Sequence, residues 1–156
     1  MILRGKYNGA KMSTEAVDSE YRLQNTDYRG VKMSVKNFDV ENLEIYQSSY
    51  QLMLVVHKLT LNFPKIEQYG GVADQLRRSS KSITANIVEG FAKQKFYKEE
   101  FKRMLVYSLG SCDESVLWLK VAFDLGYIDE KEHQRLRNAY KILVKRISTF
   151  TSNLKT

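Results

Sequence analysis

Four polar residues, Arg78, Ser82, Asn86 and Glu89, punctuate an otherwise apolar-patterned segment. They are spaced three or four apart, so they share one side of a helix. A guanidinium, a hydroxyl, an amide and a carboxylate on one face could carry acid–base chemistry. The same groups serve equally as a polar network between helices, because buried polar groups must be paired. The network is the expectation, with Glu89 bonded to Arg78 or to a group on another helix or subunit. Ser108, Ser111 and Glu114 are its natural counterparts. No residue is assigned a catalytic role.

The other chemistry-bearing residues are scarce. His57 and His133 are the two histidines, in different segments. His57 follows an apolar stripe and reads as a satisfied, half-buried side chain. A carboxylate-bridged di-iron bundle needs Glu-x-x-His pairs from two helices. Here Glu130 and His133 give that spacing once, at a helix start. Cys112 is the single cysteine, which rules out an internal disulfide and a cysteine-based zinc site. Its place on an apolar seam marks an inert core thiol. There is no phosphate-cradling glycine loop, no G-x-S-x-G elbow and no H-E-x-x-H. No metal or other cofactor is expected, and nothing argues for an enzyme.

The cations are more informative. Lys93, Lys95, Lys98, Lys102 and Arg103 cluster with Phe91, Phe96 and Tyr97 interleaved. Cations hold phosphates, and aromatic rings stack on unpaired bases. Arg135, Lys141, Lys145 and Arg146 add a second basic run. The plain alternative is a solvated helix surface. The formal charge of +7 and the pI near 9.4 favour anionic partners without requiring them.

Four helices must position these residues. The first is expected from Leu43 to Phe63, capped by Asn42 and stopped by Pro64. It carries two adjacent apolar stripes. One is Leu43, Tyr46, Tyr50, Met53, His57 and Leu61; the other is Ile45, Leu52, Val56, Leu59 and Phe63. Together they exceed what one bundle seam needs, and the excess fits another subunit. The second helix spans Gly71 to Ala92, with Val72, Leu76, Ser80, Ile83, Ile87 and Phe91 as its seam. The third spans Lys98 to Leu125, with Phe101, Leu105, Ser108, Cys112, Val116, Leu119 and Phe123 inward. Gly110 in its middle costs roughly 1 kcal/mol against alanine and is expected to mark a close helix approach. Gly126 ends it as a left-handed cap residue. The fourth spans Glu130 to Asn153, opened by Asp129 with Glu132 three residues on. Its apolar stripe is Leu136, Tyr140, Leu143, Ile147, Phe150 and Leu154. Short connections make the reading an all-α, antiparallel up-down-up-down four-helix bundle over residues 37–156.

Residues 1–36 are polar and lack an apolar period, and read as a flexible N-terminal arm. Met1, Met12 and Met33 are each candidate start sites. No apolar run is long enough for a membrane span, and no secretory signal is visible, so the cytoplasm is the expected compartment.

Several motifs occur in a telling order. Leu43-Glu44-Ile45-Tyr46-Gln47 opens the bundle, and Asn62-Phe63-Pro64-Lys65 closes the first helix. The run from Gln75 through Arg77-Arg78-Ser79-Ser80 to Asn86-Ile87-Val88-Glu89-Gly90 follows. Leu109-Gly110-Ser111-Cys112-Asp113-Glu114 and Asp124-Leu125-Gly126-Tyr127-Ile128-Asp129 complete the set. In this the chain resembles the bacterial four-helix-bundle family encoded in intervening sequences of 23S ribosomal RNA genes, over nearly everything from Asn42 to Phe150. The Ser79-Ser80-Lys81 run departs from the smaller, more apolar residues common in that family. The resemblance implies a ring-like homopentamer. It also implies kinship with the basic accessory proteins of diversity-generating retroelements, which bind nucleic acid and a reverse transcriptase. The expectation is thus a non-enzymatic, RNA-directed homo-oligomeric scaffold. The alternative is a protein-interaction scaffold for a reverse transcriptase or an rRNA-processing partner, without direct nucleic-acid contact.

Overall fold

The computed structural model describes residues 39–154, and the expected arm at residues 1–36 lies outside them. Four α-helices follow in order: α1 (Glu44–Thr60), α2 (Val72–Lys93), α3 (Lys98–Asp124) and α4 (Glu130–Asn153). They form an antiparallel up-down-up-down bundle. Consecutive helices pack side by side, α4 closes back on α1, and α1 and α3 stand at opposite corners. The α2–α3 contact is the most extensive of the four and the α1–α4 contact the thinnest.

The helix ends follow local chemistry. Asn42 is not the cap of α1. It lies in a 3-10 turn, Val40–Asn42, which Asp39 caps by accepting from the Glu41 N–H at 3.3 Å. Leu43 then stands at the N-cap with no side-chain bond. The helix stops at Thr60, three residues short of Phe63. There Asn62 and Phe63 N–H groups switch to carbonyls three residues back, both at 3.2 Å, ahead of Pro64.

Gly71 cannot cap α2 with a side chain. The Glu67 carboxylate does so from outside, accepting from the Val72 N–H at 2.7 Å. A Cβ on Gly71 would sit 2.4 Å from that oxygen, so the glycine makes room for the cap. The other Glu67 oxygen accepts from the Tyr127 hydroxyl at 2.9 Å, and the Tyr127 ring tilts against Phe63. One carboxylate therefore ties the α1–α2 connection to the α3–α4 turn. That turn is built as expected. Gly126 has φ +73°, Tyr127 N–H reaches the Ala122 carbonyl at 2.8 Å, and Gly126 N–H reaches Phe123 at 2.9 Å. Asp129 then accepts from Glu132 N–H at 2.7 Å to open α4.

The core is filled by Val56, Leu76, Ile83, Ile87, Leu105, Leu119, Leu136, Leu143 and Ile147, all enclosed. Of the two α1 stripes, the one with Ile45, Leu52 and Val56 faces inward. The other stripe buries only Leu43 and turns out beyond it: Tyr50 and Leu61 are exposed, and so is His57, which is not half-buried as expected. The close helix approach falls at Gly90 and not at Gly110. A Cβ on Gly90 would meet Met104 Cβ at 2.7 Å and Phe101 Cδ2 at 2.8 Å. Gly110 is exposed, with no atom within 4 Å of its would-be Cβ.

Small hydroxyls lace the interior. Thr84 donates to Ser49 at 3.1 Å, joining α1 and α2. Ser115 donates to Ser79 at 2.8 Å, Ser111 to Ser82 at 3.0 Å, and Ser108 to the Ile83 carbonyl at 3.0 Å. These three bonds fix the register of α2 against α3, and they give the buried Ser79 of the Ser79-Ser80-Lys81 run a partner. The fully enclosed Tyr140 hydroxyl finds no hydrogen bond of full geometry. Burial raises its pKa, and Ser115 is the polar neighbour that offsets part of the rise.

Candidate nucleic-acid interface

The polar face of α2 splits into a structural middle and two solvated ends. Asn86 donates to Ser82 at 3.2 Å, and Ser82 accepts from Ser111 on α3. Glu89 pairs with Lys93 one turn along its own helix, not with Arg78. Arg78 is exposed and makes no ion pair among the described residues. Glu114 is also exposed, near the Trp118 indole at 3.3 Å. Four groups that sequence spacing aligns thus never converge on a common point. Cys112 is enclosed, and burial pushes its thiol up to about 12, so no thiolate forms near neutral pH. His133 lies flat against Phe123, with ring centroids 4.8 Å apart. No group of three or more His, Cys, Asp or Glu suited to a metal occurs among the described residues.

The basic residues gather at the α2–α3 turn. The Lys93 carbonyl accepts from both Phe96 and Tyr97 N–H groups, each at 3.0 Å. This tight wrap throws the side chains outward. Phe96 and Tyr97 are 81% and 69% exposed. Phe91 is not available for stacking on a ligand. It is buried edge-on against Phe101, which in turn meets Phe150 of α4 at 5.7 Å. This aromatic chain anchors the turn to the end of α4.

The cations divide by partner. Lys93 is held by Glu89, and Arg103 by Glu100 at 2.7 Å. Lys95, Lys98 and Lys102 have no ion pair among the described residues. On α4, Arg146 clasps α1, reaching Glu44 at 3.1 Å and the Ser48 hydroxyl at 2.6 Å. Arg135 is gripped by Glu132 through two bonds of 2.6 and 2.8 Å. The Arg135 hydrogen bond holds the Glu132 carboxyl below the usual range. Arg135 also stands fifteen residues before Phe150, about 22 Å along the helix from the α2–α3 turn. Lys141 and Lys145 are exposed and without an ion pair among the described residues. Lys145 also lines a groove of about 520 Å³ between the start of α1 and the end of α4.

The structure therefore brings Lys95, Lys98 and Lys102 together with two exposed rings. It sets Arg135 apart and leaves Lys93, Arg103 and Arg146 occupied by carboxylates. The partner of each cation was hidden in the sequence, because any lysine near a glutamate at helical spacing has the option of pairing.

No helix among the described residues is long and apolar enough to cross a membrane. No curated protein matches the chain. A crystallised protein of unknown function from Bacteroides thetaiotaomicron, of the S23 ribosomal protein family, shares the fold at a TM-score of 0.63. It is 20% identical, and the match covers 70% of this chain and 96% of that one. The family model for the 23S rRNA-intervening sequence protein matches residues 41–149, the whole bundle but for its last turn. Helix order, motifs and family match agree: the chain belongs to the 23S rRNA-intervening sequence protein family.

Proposed function

We propose that the protein is a non-enzymatic, RNA-associated scaffold that works in the cytoplasm as a ring-like homo-oligomer. The observation that carries this is the α2–α3 turn, where Lys95, Lys98 and Lys102 have no ion pair among the described residues and stand beside the exposed Phe96 and Tyr97. Phosphate contacts supply the affinity, and the rings stack on any base, so binding is sequence-tolerant. Assembly repeats the patch around the ring and multiplies weak contacts. The family's name, which places its members in intervening sequences of 23S rRNA, supports RNA over DNA as the partner. Titration of an unstructured RNA at several salt concentrations tests the proposal. Affinity that falls steadily with salt is the expected result. If no single strand binds even at low ionic strength, the reading gives way to a protein-interaction scaffold, for a reverse transcriptase or an rRNA-processing partner.

A further inference from the structure

Two outward faces of the bundle carry apolar side chains that nothing among the described residues covers. On α3 these are Val106, Tyr107 and Leu117, each more than half exposed, flanking Gly110. On α1 they are Tyr50 and Leu61, with the half-buried Met53 between them. A glycine in mid-helix is costly and usually makes room for a neighbour. Gly90 does so within the bundle; Gly110 meets nothing within 4 Å.

We propose that Gly110 is the contact point for α1 of a second copy of this chain, packed head to tail. The inference rests on the oligomeric reading above and names the surfaces that would build it. Three observations select this occupant. First, α1 and α3 stand at opposite corners, so their outer faces point in opposite directions. A two-fold dimer through either face leaves the other bare, whereas a heterologous contact covers both and repeats until the ring closes. Second, the two faces are level and parallel. Thr84 bonds Ser49, and Ser108 bonds the adjacent Ile83 carbonyl, which sets Ser49 at the height of Ser108. Side-by-side copies then bring Tyr50 and Met53 within about a helical turn of Gly110. Third, the rims are complementary. Asp113 and Glu114 are exposed beside Gly110, and Lys58 is exposed within about a helical turn of their height on α1. The bare glycine lets the two helices approach closely.

Two variants test this by light scattering. Gly110→Arg plants a long cation where the described residues leave open space, and arginine is the better helix former, so the fold is not threatened. Tyr50→Glu sets a carboxylate against Asp113 and Glu114. Each alone is expected to fall from the ring to a single protomer of 18.2 kDa with helicity unchanged. Mixed one to one, they should form a dimer, because each retains the face the other lacks. A Gly110→Arg protein that keeps the parent's mass, or a mixture that stays monomeric, overturns the proposal. A parent that is itself monomeric at micromolar concentration defeats the oligomeric reading too; an oligomeric parent with indifferent variants defeats only this interface. Should Tyr50→Glu lose helicity, oxidation of a Met53→Cys/Gly110→Cys double variant decides. A covalent ladder that neither single variant gives supports head-to-tail packing, and its absence refutes it.

Discussion

Reversing Lys98 and Lys102 to glutamate removes two of the three cations at the α2–α3 turn that have no ion pair among the described residues, and leaves Lys95. Each phosphate neutralised on a single strand contributes about −0.7 to the slope of log affinity against log salt. For a short strand that engages one patch, three contacts give a slope of about −2.1, so raising salt from about 50 to about 200 mM should weaken binding roughly 20-fold. The double reversal should leave a slope of about −0.7 and a loss of roughly 3-fold over the same range. The control lies in the paired cations. Lys93→Gln and Arg103→Gln should barely change the slope, since Glu89 and Glu100 already balance those charges. Fluorescence anisotropy with a labelled, unstructured RNA reads all of these, with circular dichroism to verify an intact bundle. If the double reversal keeps the parent's slope, the turn is not the binding site. If Lys93→Gln flattens the slope as much as the reversal does, the sorting of cations by partner is wrong.

Other outcomes follow from the packing. Gly90→Ala gains about 1 kcal/mol of helix propensity but forces a methyl within 2.8 Å of Met104 and Phe101. Overpacking costs about 1–3 kcal/mol, so thermal melting should show net destabilisation or near-neutrality, and a clear rise in Tm would contradict the close approach. Cys112 should resist a thiol reagent at pH 8 in the folded protein and react at once in denaturant, since burial holds its thiol at about 12. The Glu132 carboxyl is held low by Arg135, so its contribution to stability is present at neutral pH and lost as pH falls through the lowered value. Carboxyl NMR titration should therefore show Glu132 below the ordinary glutamate range, and Arg135→Ala should return it there.

What the sequence made legible was periodic or punctuated. The seams of α2 and α4 lie where the apolar spacing puts them, and Gly126 and Asp129 mark the α3–α4 turn because each acts on its immediate neighbours. What it hid depends on distant partners. On α1 two adjacent stripes were each apolar enough to pack, and the packing of α2 and α4 decides that Ile45, Leu52 and Val56 face inward while His57 faces out. The significance of Gly90 needed Phe101 and Met104 from the next helix. The cap of α2 is not legible locally, because it comes from Glu67, five residues before Val72 across a turn, and not from the position before the helix. Of the hydroxyl ladder, the Ser82–Ser111 rung joins two residues that spacing alone sets opposite each other, whereas Ser79–Ser115 and Ser49–Thr84 lie on seams where a serine reads as a small spacer. A run of serines at matching spacing on two adjacent helices was the available signal.

The uneven packing around the bundle determines where it opens. Between α2 and α3 a short turn, close apolar contact and three hydroxyl bonds act together. Between α1 and α4 the contact is thin, grooved, and closed near its end by the exposed Arg146–Glu44 clasp. Local opening starts where buried apolar contact is least. Backbone amides of α1 and α4 should therefore exchange with deuterium ahead of those of α2 and α3. The α2–α3 hairpin, joined by near-neighbour contacts, is the part that would hold its shape longest as the protein unfolds and recover it first on refolding.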